Sequence, residues 1–262
     1  MNRRLTLTLL LVLLLSACGA KAAPLPEART LTVFAAASLT DAFGEIGQAF
    51  EAAHPGVTVT LNFANSQALR TQIEEGAPAD VFASANTKEM EALVAAGLAA
   101  ADAPQIFLTN KLVVILPADN PAALETLGDL ARPGVKLVLA AEEVPVGKYA
   151  RQALDLMNAA FGADFKKQVM ANVVSNEDNV KQVVAKVQLG EADAGLVYTS
   201  DAVAAPDLKT IAIPAELNVV ATYPIAALAD SADTDLAAQF IAYVLSAQGQ
   251  AILAAWGFGP VP

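Results

Sequence analysis

Four times along this chain an apolar, β-type run passes over a short turn of small or polar residues directly into helix-period residues. In "LTVFAAASLTDAF" (31–43) the run ends near Phe34, and Leu39, Ala42, Phe43, Ile46 and Phe50 then follow helical spacing. "VTVTLNFANSQALRTQI" passes from an alternating strand (57–63) through Asn65-Ser66 into a helix with Leu69 and Ile73 inward. "VKLVLAAEEVPVGKYARQALDLM" passes from a strand (135–140) into a helix beginning near Val146. "VMANVVSNEDNVKQVVAKV" does the same, its helix carrying Val180, Val183, Val184 and Val187. Strands alternating with helices of this length argue for an α/β fold with a mainly parallel sheet. Ser38 falls in the first turn, where its side chain can cap the helix.

Each of these turns delivers a helix start at the carboxyl end of a strand, where open α/β sheets place their ligands. Helix starts carry N–H groups without intrahelical partners and about half a positive charge. Four aimed at one point would hold an anion without any Lys or Arg. Convergence is not written in the sequence, and each turn taken singly reads as an ordinary capped helix. The β-rich stretches "FLTNKLVVILP" (107–117) and "LNVVATYPIAAL" (217–228) suggest two crossings between lobes. One lobe would then hold residues 31–108 and 222–262, and the other residues 109–221. The helical stretch "DLAAQFIAYVLSAQGQAILAAWGF" would return to cover the first lobe.

The chain opens "MNRRLTLTLLLVLLLSACGA", a basic start followed by an apolar core that ends at Leu15. That core falls short of the roughly 20 residues a membrane span needs. It reads as an export signal covering residues 1–17. Leu15-Ser16-Ala17-Cys18 resembles a bacterial lipobox, which implies cleavage before Cys18 and a lipid on its sulfur. Ala20-Lys21-Ala22 offers a competing small-x-small cleavage pattern. Cys18 is the one cysteine, so no disulfide is expected and a free exported thiol would be a liability. Residues 18–30 read as a tether. Without Arg3 and Arg4 the basic count falls from 16 to 14 against 27 acidic residues, a net charge of −13. Such a surface argues against nucleic-acid partners and against anionic membranes, leaving the lipid as the membrane contact.

The segments "VFAAASLTDAF", "GAPADVFASAN", "VPVGKYARQAL" and "GLVYTSDAV", followed by the closing "AAWGFGP", together resemble the periplasmic molybdate-binding proteins of ABC importers. The resemblance runs in order from residue 31 to the C-terminus. It implies a two-lobed type II periplasmic-binding-protein fold that closes around a tetrahedral oxyanion. It further implies that Ser38 and Ser66 give hydroxyl and backbone N–H to the anion. Val146, at a position often alanine in the family, and Val180 would give backbone N–H, and Tyr198 its phenol O–H. The implied ligand is molybdate, with tungstate beside it, and the implied partner is an ABC permease. No cofactor or bare metal is expected, and a monomer held at the outer face of the membrane or in the periplasm is. Another small anion such as sulfate, or a tethered sensor ectodomain, is the alternative.

Molybdate and tungstate are fully deprotonated near neutral pH, so their oxygens only accept hydrogen bonds. A protonated phosphate would leave a buried O–H facing donors, a loss of about 1–3 kcal/mol. Sulfate matches in charge and shape, so only pocket size can reject it. Ala35, Ala36 and Ala37 would let the backbone approach the ligand, with plain packing an equal reading for Ala35. Glu177 and Asp178 would repel an anion and are expected to face solvent. Asp80 reads as a turn or backbone cap, Lys148 as an exposed helix lysine and Trp256 as packing. No catalysis is expected, because Ser38 and Ser66 need a general base and His54, the one histidine, lies in a helix-to-strand turn. The sequence also lacks a Gly-x-Ser-x-Gly elbow, a phosphate loop and metal-ligand spacing.

Overall fold

The computed structural model describes residues 28–261. The signal segment 1–17, Cys18 and most of the tether lie outside the described residues. Arg29 and Thr30, which composition groups with the tether, already belong to the first strand, opposite Val57 and Thr58.

The chain runs β1 (Arg29–Ala36), α1 (Thr40–Ala53), β2 (Val57–Ala64), α2 (Ser66–Glu74), β3 (Val81–Ala83), α3 (Thr87–Ala95) and the long β4 (Gln105–Leu116). Then come β5 (Leu137–Ala140), α4 (Pro145–Phe161), α5 (Phe165–Ala171), β6 (Val173–Glu177), α6 (Val180–Gln188), β7 (Ala194–Tyr198), α7 (Thr199–Ala204) and β8 (Lys209–Ala212). Strand β9 (Val220–Ala227) and helices α8 (Thr234–Leu245) and α9 (Ala247–Ala255) complete it.

Among the described residues the strands form one sheet in the order β2-β1-β3-β9-β4-β7-β5-β6, with β8 also on β4. The pairs β2–β1–β3 are parallel, as are β6–β5–β7, while contacts through β4 and β9 are antiparallel. The sheet is divided along its longest strand, β4. Residues 105–111 of β4 pair with β9, and the rest of β4 pairs with β7 and β8. β4 thus pairs in both halves of the sheet, while β9, which follows β8 in the chain, pairs with β3 and with residues 105–111 of β4. Near-continuous apolar sequence in β3, β5, β7 and the second half of β1 suits strands covered on both faces.

Side chains of β1 alternate between two layers, as a strand requires. Leu31, Val33 and Ala35 join a core beneath α1, α8 and α9, where Phe50 meets Phe240 edge-on at 5.3 Å and Phe43 meets Phe107 at 5.8 Å. Phe34 faces the other way, into a smaller core with Leu69, Ile73, Met90 and Leu93 of α2 and α3. The C-terminal helix pair thus covers the first half of the sheet. On the second half, Ala150, Ala153, Leu154 and Met157 of α4 are buried, as are Val183, Val184 and Val187 of α6.

The start of α4 is pressed onto the end of β5. A Cβ on Gly147 would stand 2.0 Å from the Ala141 carbonyl oxygen and 2.4 Å from that of Ala140. Neither carbonyl is at the end of a flexible group, so only movement of the helix start can relieve the overlap. Gly147→Ala is accordingly expected to cost about 2–4 kcal/mol. Thermal unfolding should register this as a fall of roughly 5–15 °C, and an unchanged midpoint would contradict the packing.

Candidate ligand-binding cleft

Parallel register builds the site. Ala36 and Ala64, the last residues of β1 and β2, are partners across the sheet. The turn after β1 and the start of α2 consequently emerge side by side. In the other half Ala140 pairs with Glu177, so α4 and α6 also start close together. The two pairs face each other across a small cavity. The first half lines it with Ala36, Ala37, Ser38, Asn65, Ser66 and Ala85. The second half contributes Val144, Pro145, Val146, Asn179, Val180 and Tyr198. All five residues singled out in the sequence, Ser38, Ser66, Val146, Val180 and Tyr198, lie on this one surface. Of the three alanines, Ala36 and Ala37 line the cavity, and Ala35 is packed in the core.

The donors follow from how the helices begin. Asn65 accepts from the Ala68 N–H at 2.7 Å and Asn179 accepts from the Gln182 N–H at 3.2 Å. These caps satisfy the third amide of α2 and α6 and leave the first turn's earlier amides, including Ser66 and Val180, without a helical acceptor. Helix α4 has no side-chain cap and begins with Pro145, so Val146 supplies its first N–H. The Ser66 hydroxyl accepts from the Ala85 N–H at 3.0 Å, which leaves its own proton to point elsewhere.

Ser38 is not a helix cap. It sits in a 3-10 turn (Ala37–Leu39), and neither that turn nor α1 carries a side-chain cap bond. Its hydroxyl instead lies 2.9 Å from that of Tyr223 on β9. Tyr198 is 1% exposed, and its hydroxyl adjoins that of Tyr223 without a well-formed hydrogen bond to it or to any other group. A buried, unsatisfied hydroxyl on a cavity wall calls for a partner. Burial pushes both phenols above their ordinary range, so both remain neutral and keep their protons.

Apart from the Tyr198 phenol, no ionisable side chain lines the cavity. Asp178 is exposed, as expected for a carboxylate kept away from an anion. Glu177 corrects the expectation of a solvent-facing side chain. It is 9% exposed and held 3.1 Å from Lys186 Nζ, with a further bond from Ser175, and so is neutralised within its own half. Asp80 accepts from the Thr32 and Ala232 N–H groups and from Ser231, tying β1 to the segment before α8. Lys148 is exposed, and Trp256 donates to Glu45 at 2.9 Å. His54 lies 2.8 Å from the Phe50 carbonyl at the far end of α1, about 20 Å of helix from Ser38. Among the described residues, no group of three or more His, Cys, Asp or Glu could hold a metal ion.

Charge gathers just outside the cavity. Asp201, fully buried, accepts from the Tyr198 N–H at 3.3 Å and stands 3.4 Å from Lys181 Nζ. Lys181 in turn reaches Asp41 at 2.6 Å, across the cleft. Asn65 Nδ2 also crosses it, donating to the Asp178 carbonyl at 2.8 Å. Asp41 and Asp201 fall within two of the segments that carry the resemblance, but nothing local in the sequence marks them, Tyr223 or Lys181 as partners. The Asn caps are marked, as Asn directly before a helical run.

Residues 31–259 match the family model described as bacterial extracellular solute-binding protein. A Mycobacterium bovis protein named molybdate-binding protein ModA is 41% identical over 256 residues, spanning 95% of this chain and 94% of its own length. A solved domain assigned to substrate binding in a molybdenum ABC transporter of Clostridium difficile is 33% identical. It covers 90% of this chain and 100% of its own, with a TM-score of 0.69. The sulfate-binding protein SubI of Mycobacterium tuberculosis reaches a TM-score of 0.80, covering 89% of this chain and 87% of its own. At 21% identity that likeness bears on the fold alone.

Asp201 gives the cleft a pH signature. Burial pushes its carboxyl up from an ordinary 3.8 to about 6, with the Lys181 charge acting in the opposite direction. Between those values the folded protein holds a proton that the unfolded chain has released, so this group's contribution to stability falls as pH rises. The penalty is complete above about pH 6 and is on the order of 3 kcal/mol. Asp201→Asn removes the titration. Its unfolding midpoint relative to the parent should therefore rise between pH 4 and 7, and parallel stability profiles would contradict this.

Proposed function

The chain belongs to the bacterial extracellular solute-binding proteins, with their type II periplasmic-binding fold, and we propose that it captures molybdate, and tungstate with it, for delivery to an ABC permease. The observation that carries this reading is the convergence of neutral donors from two halves of the sheet on one cavity, with the buried Tyr198 hydroxyl lacking a partner. Ser38 and Ser66 would each give a hydroxyl and an N–H, Val146 and Val180 an N–H, and Tyr198 its O–H. The name borne by the 41% identical relative supports the choice of ion.

The chemistry of the walls favours an anion that carries no proton. The Asn65 and Asn179 side-chain oxygens are engaged in capping and no carboxylate lines the cavity, so the strong acceptors that would take a proton from a ligand are absent from its wall. A hydrogen phosphate would bury its O–H unpaired. A dianion of molybdate type meets only donors, in surroundings where the field of the helix starts is little screened. Valine at position 146 need not disturb this, since its contribution is backbone.

In this reading residues 31–108 with 222–262 form one lobe and 109–221 the other, and β4 and β9 carry the hinge between them. The protein acts by binding and release and needs no reaction. Cys18 would carry the lipid that holds a monomer at the outer face of the membrane, within reach of the permease.

Ser38→Ala and Tyr198→Phe each delete one hydrogen bond to a charged ligand, worth about 1.5–3 kcal/mol. Each should weaken molybdate binding by about 10- to 100-fold in isothermal titration, with the fold retained. Unchanged affinity in both variants would remove the assignment of this cavity.

A further inference from the structure

We infer that Asp41 and Lys181 form a latch between the two halves, outside the oxyanion cavity, which sets how long the halves stay together on their ligand. The inference rests on the oxyanion-capture reading and adds two affinity-determining residues that touch no ligand.

Lys181 directly follows Val180 at the start of α6, yet it does not line the cavity. Its ammonium lies 2.6 Å from Asp41 in the first turn of α1, just past the turn that carries Ser38. The pair therefore joins the two helix starts that present Ser38 and Val180 from opposite halves. The bond from Asn65 Nδ2 to the Asp178 carbonyl crosses the same cleft and fixes a second point of contact. Separation of the halves about β4 and β9 would break both.

Lys181 is also braced from its own half. Asp201, with no exposure, stands 3.4 Å from the same ammonium. A lysine held by a buried carboxylate in its own half is aimed before the halves meet, so the long side chain loses less freedom on pairing than a free surface lysine would. Lys181 and Asp41 side chains are 30% and 37% exposed, so the link between halves remains open to screening by salt.

Two physical effects of Asp41 oppose each other, which makes the latch testable. As a carboxylate near an anion cavity, its removal should tighten binding of a dianion. As the far side of the latch, its removal should weaken binding by letting the halves part. Asp41→Asn is the variant of choice, because Lys181 keeps Asp201 and no buried charge is abandoned. Lys181→Met strips the counter-charge from Asp201 and serves as the second variant.

The experiment measures molybdate affinity and dissociation rate for the parent and Asp41→Asn, at low and at high salt. It also measures the radius of gyration of both ligand-free proteins by small-angle scattering. The latch requires Asp41→Asn to bind about three- to tenfold more weakly. The loss should lie in faster dissociation, and the gap between the two proteins should narrow above about 0.5 M salt. Equal or tighter binding by Asp41→Asn would overturn it. If the parent itself bound no molybdate, the capture reading would fall instead, and the radii would decide the latch. Larger ligand-free radii for Asp41→Asn and Lys181→Met than for the parent would uphold it, and equal radii would overturn it.

Discussion

An α-helix cannot satisfy its own first amides, and this protein gathers three helix starts around one cavity. Parallel pairing sets Ala36 beside Ala64 and Ala140 beside Glu177, so strand ends come in adjacent pairs and the following helices must start there. Side-chain caps reach only the third amide of α2 and α6, and α4 has none. What remains is a set of helix-start N–H groups bordering the gap between the two halves, beside two serines and a buried phenol. The tight seat of Gly147 on the end of β5 belongs to the same constraint, because the amide of Val146 can be in place only if α4 starts that close.

In the proposed reading a chain of net charge −11 takes up an anion, so its attraction for that ligand has to be local. The structure keeps its formal charges off the cavity wall and pairs those that come near it. Glu177 is neutralised by Lys186, and Asp41 and Asp201 share Lys181. Neutral donors with fixed directions suit a ligand that must also be released, since they depend on geometry that opening of the halves undoes. The Tyr223 hydroxyl, on β9 beside Ser38, places one of those donors under the control of the strand about which the halves would move.

The strand–turn–helix rhythm made the α/β architecture and the strands β4 and β9 legible, because periodicity and length are local properties of the chain. The helix starts at Ser66, Val146 and Val180 were legible for the same reason. That they converge was not, since it depends on strand order, and the resemblance to a known family supplied it at the sequence level. Ser38 shows the limit well. Its spacing fits a cap, but its partner is Tyr223, 185 residues away. Lys181 and Asp41 lie 140 residues apart, and Asp201 resembles any other acidic residue until the fold buries it. Glu177 escaped because a polar run, "VVSNEDNV", hides which of its carboxylates the strand end will cover. The signal segment and Cys18 lie outside the described residues, where sequence remains the only guide.

The central claim is that a wall of neutral donors without a carboxylate acceptor selects a fully deprotonated oxyanion. Thermal unfolding of the protein with molybdate, tungstate, sulfate or phosphate tests it most directly. A ligand at 100 times its dissociation constant stabilises by about 2.7 kcal/mol, roughly 5–10 °C for a chain of this size. The account predicts that shift with molybdate and tungstate and none with phosphate, while sulfate reports whether the cavity also filters by size. An equal shift with phosphate, or none with any of the four, would contradict it.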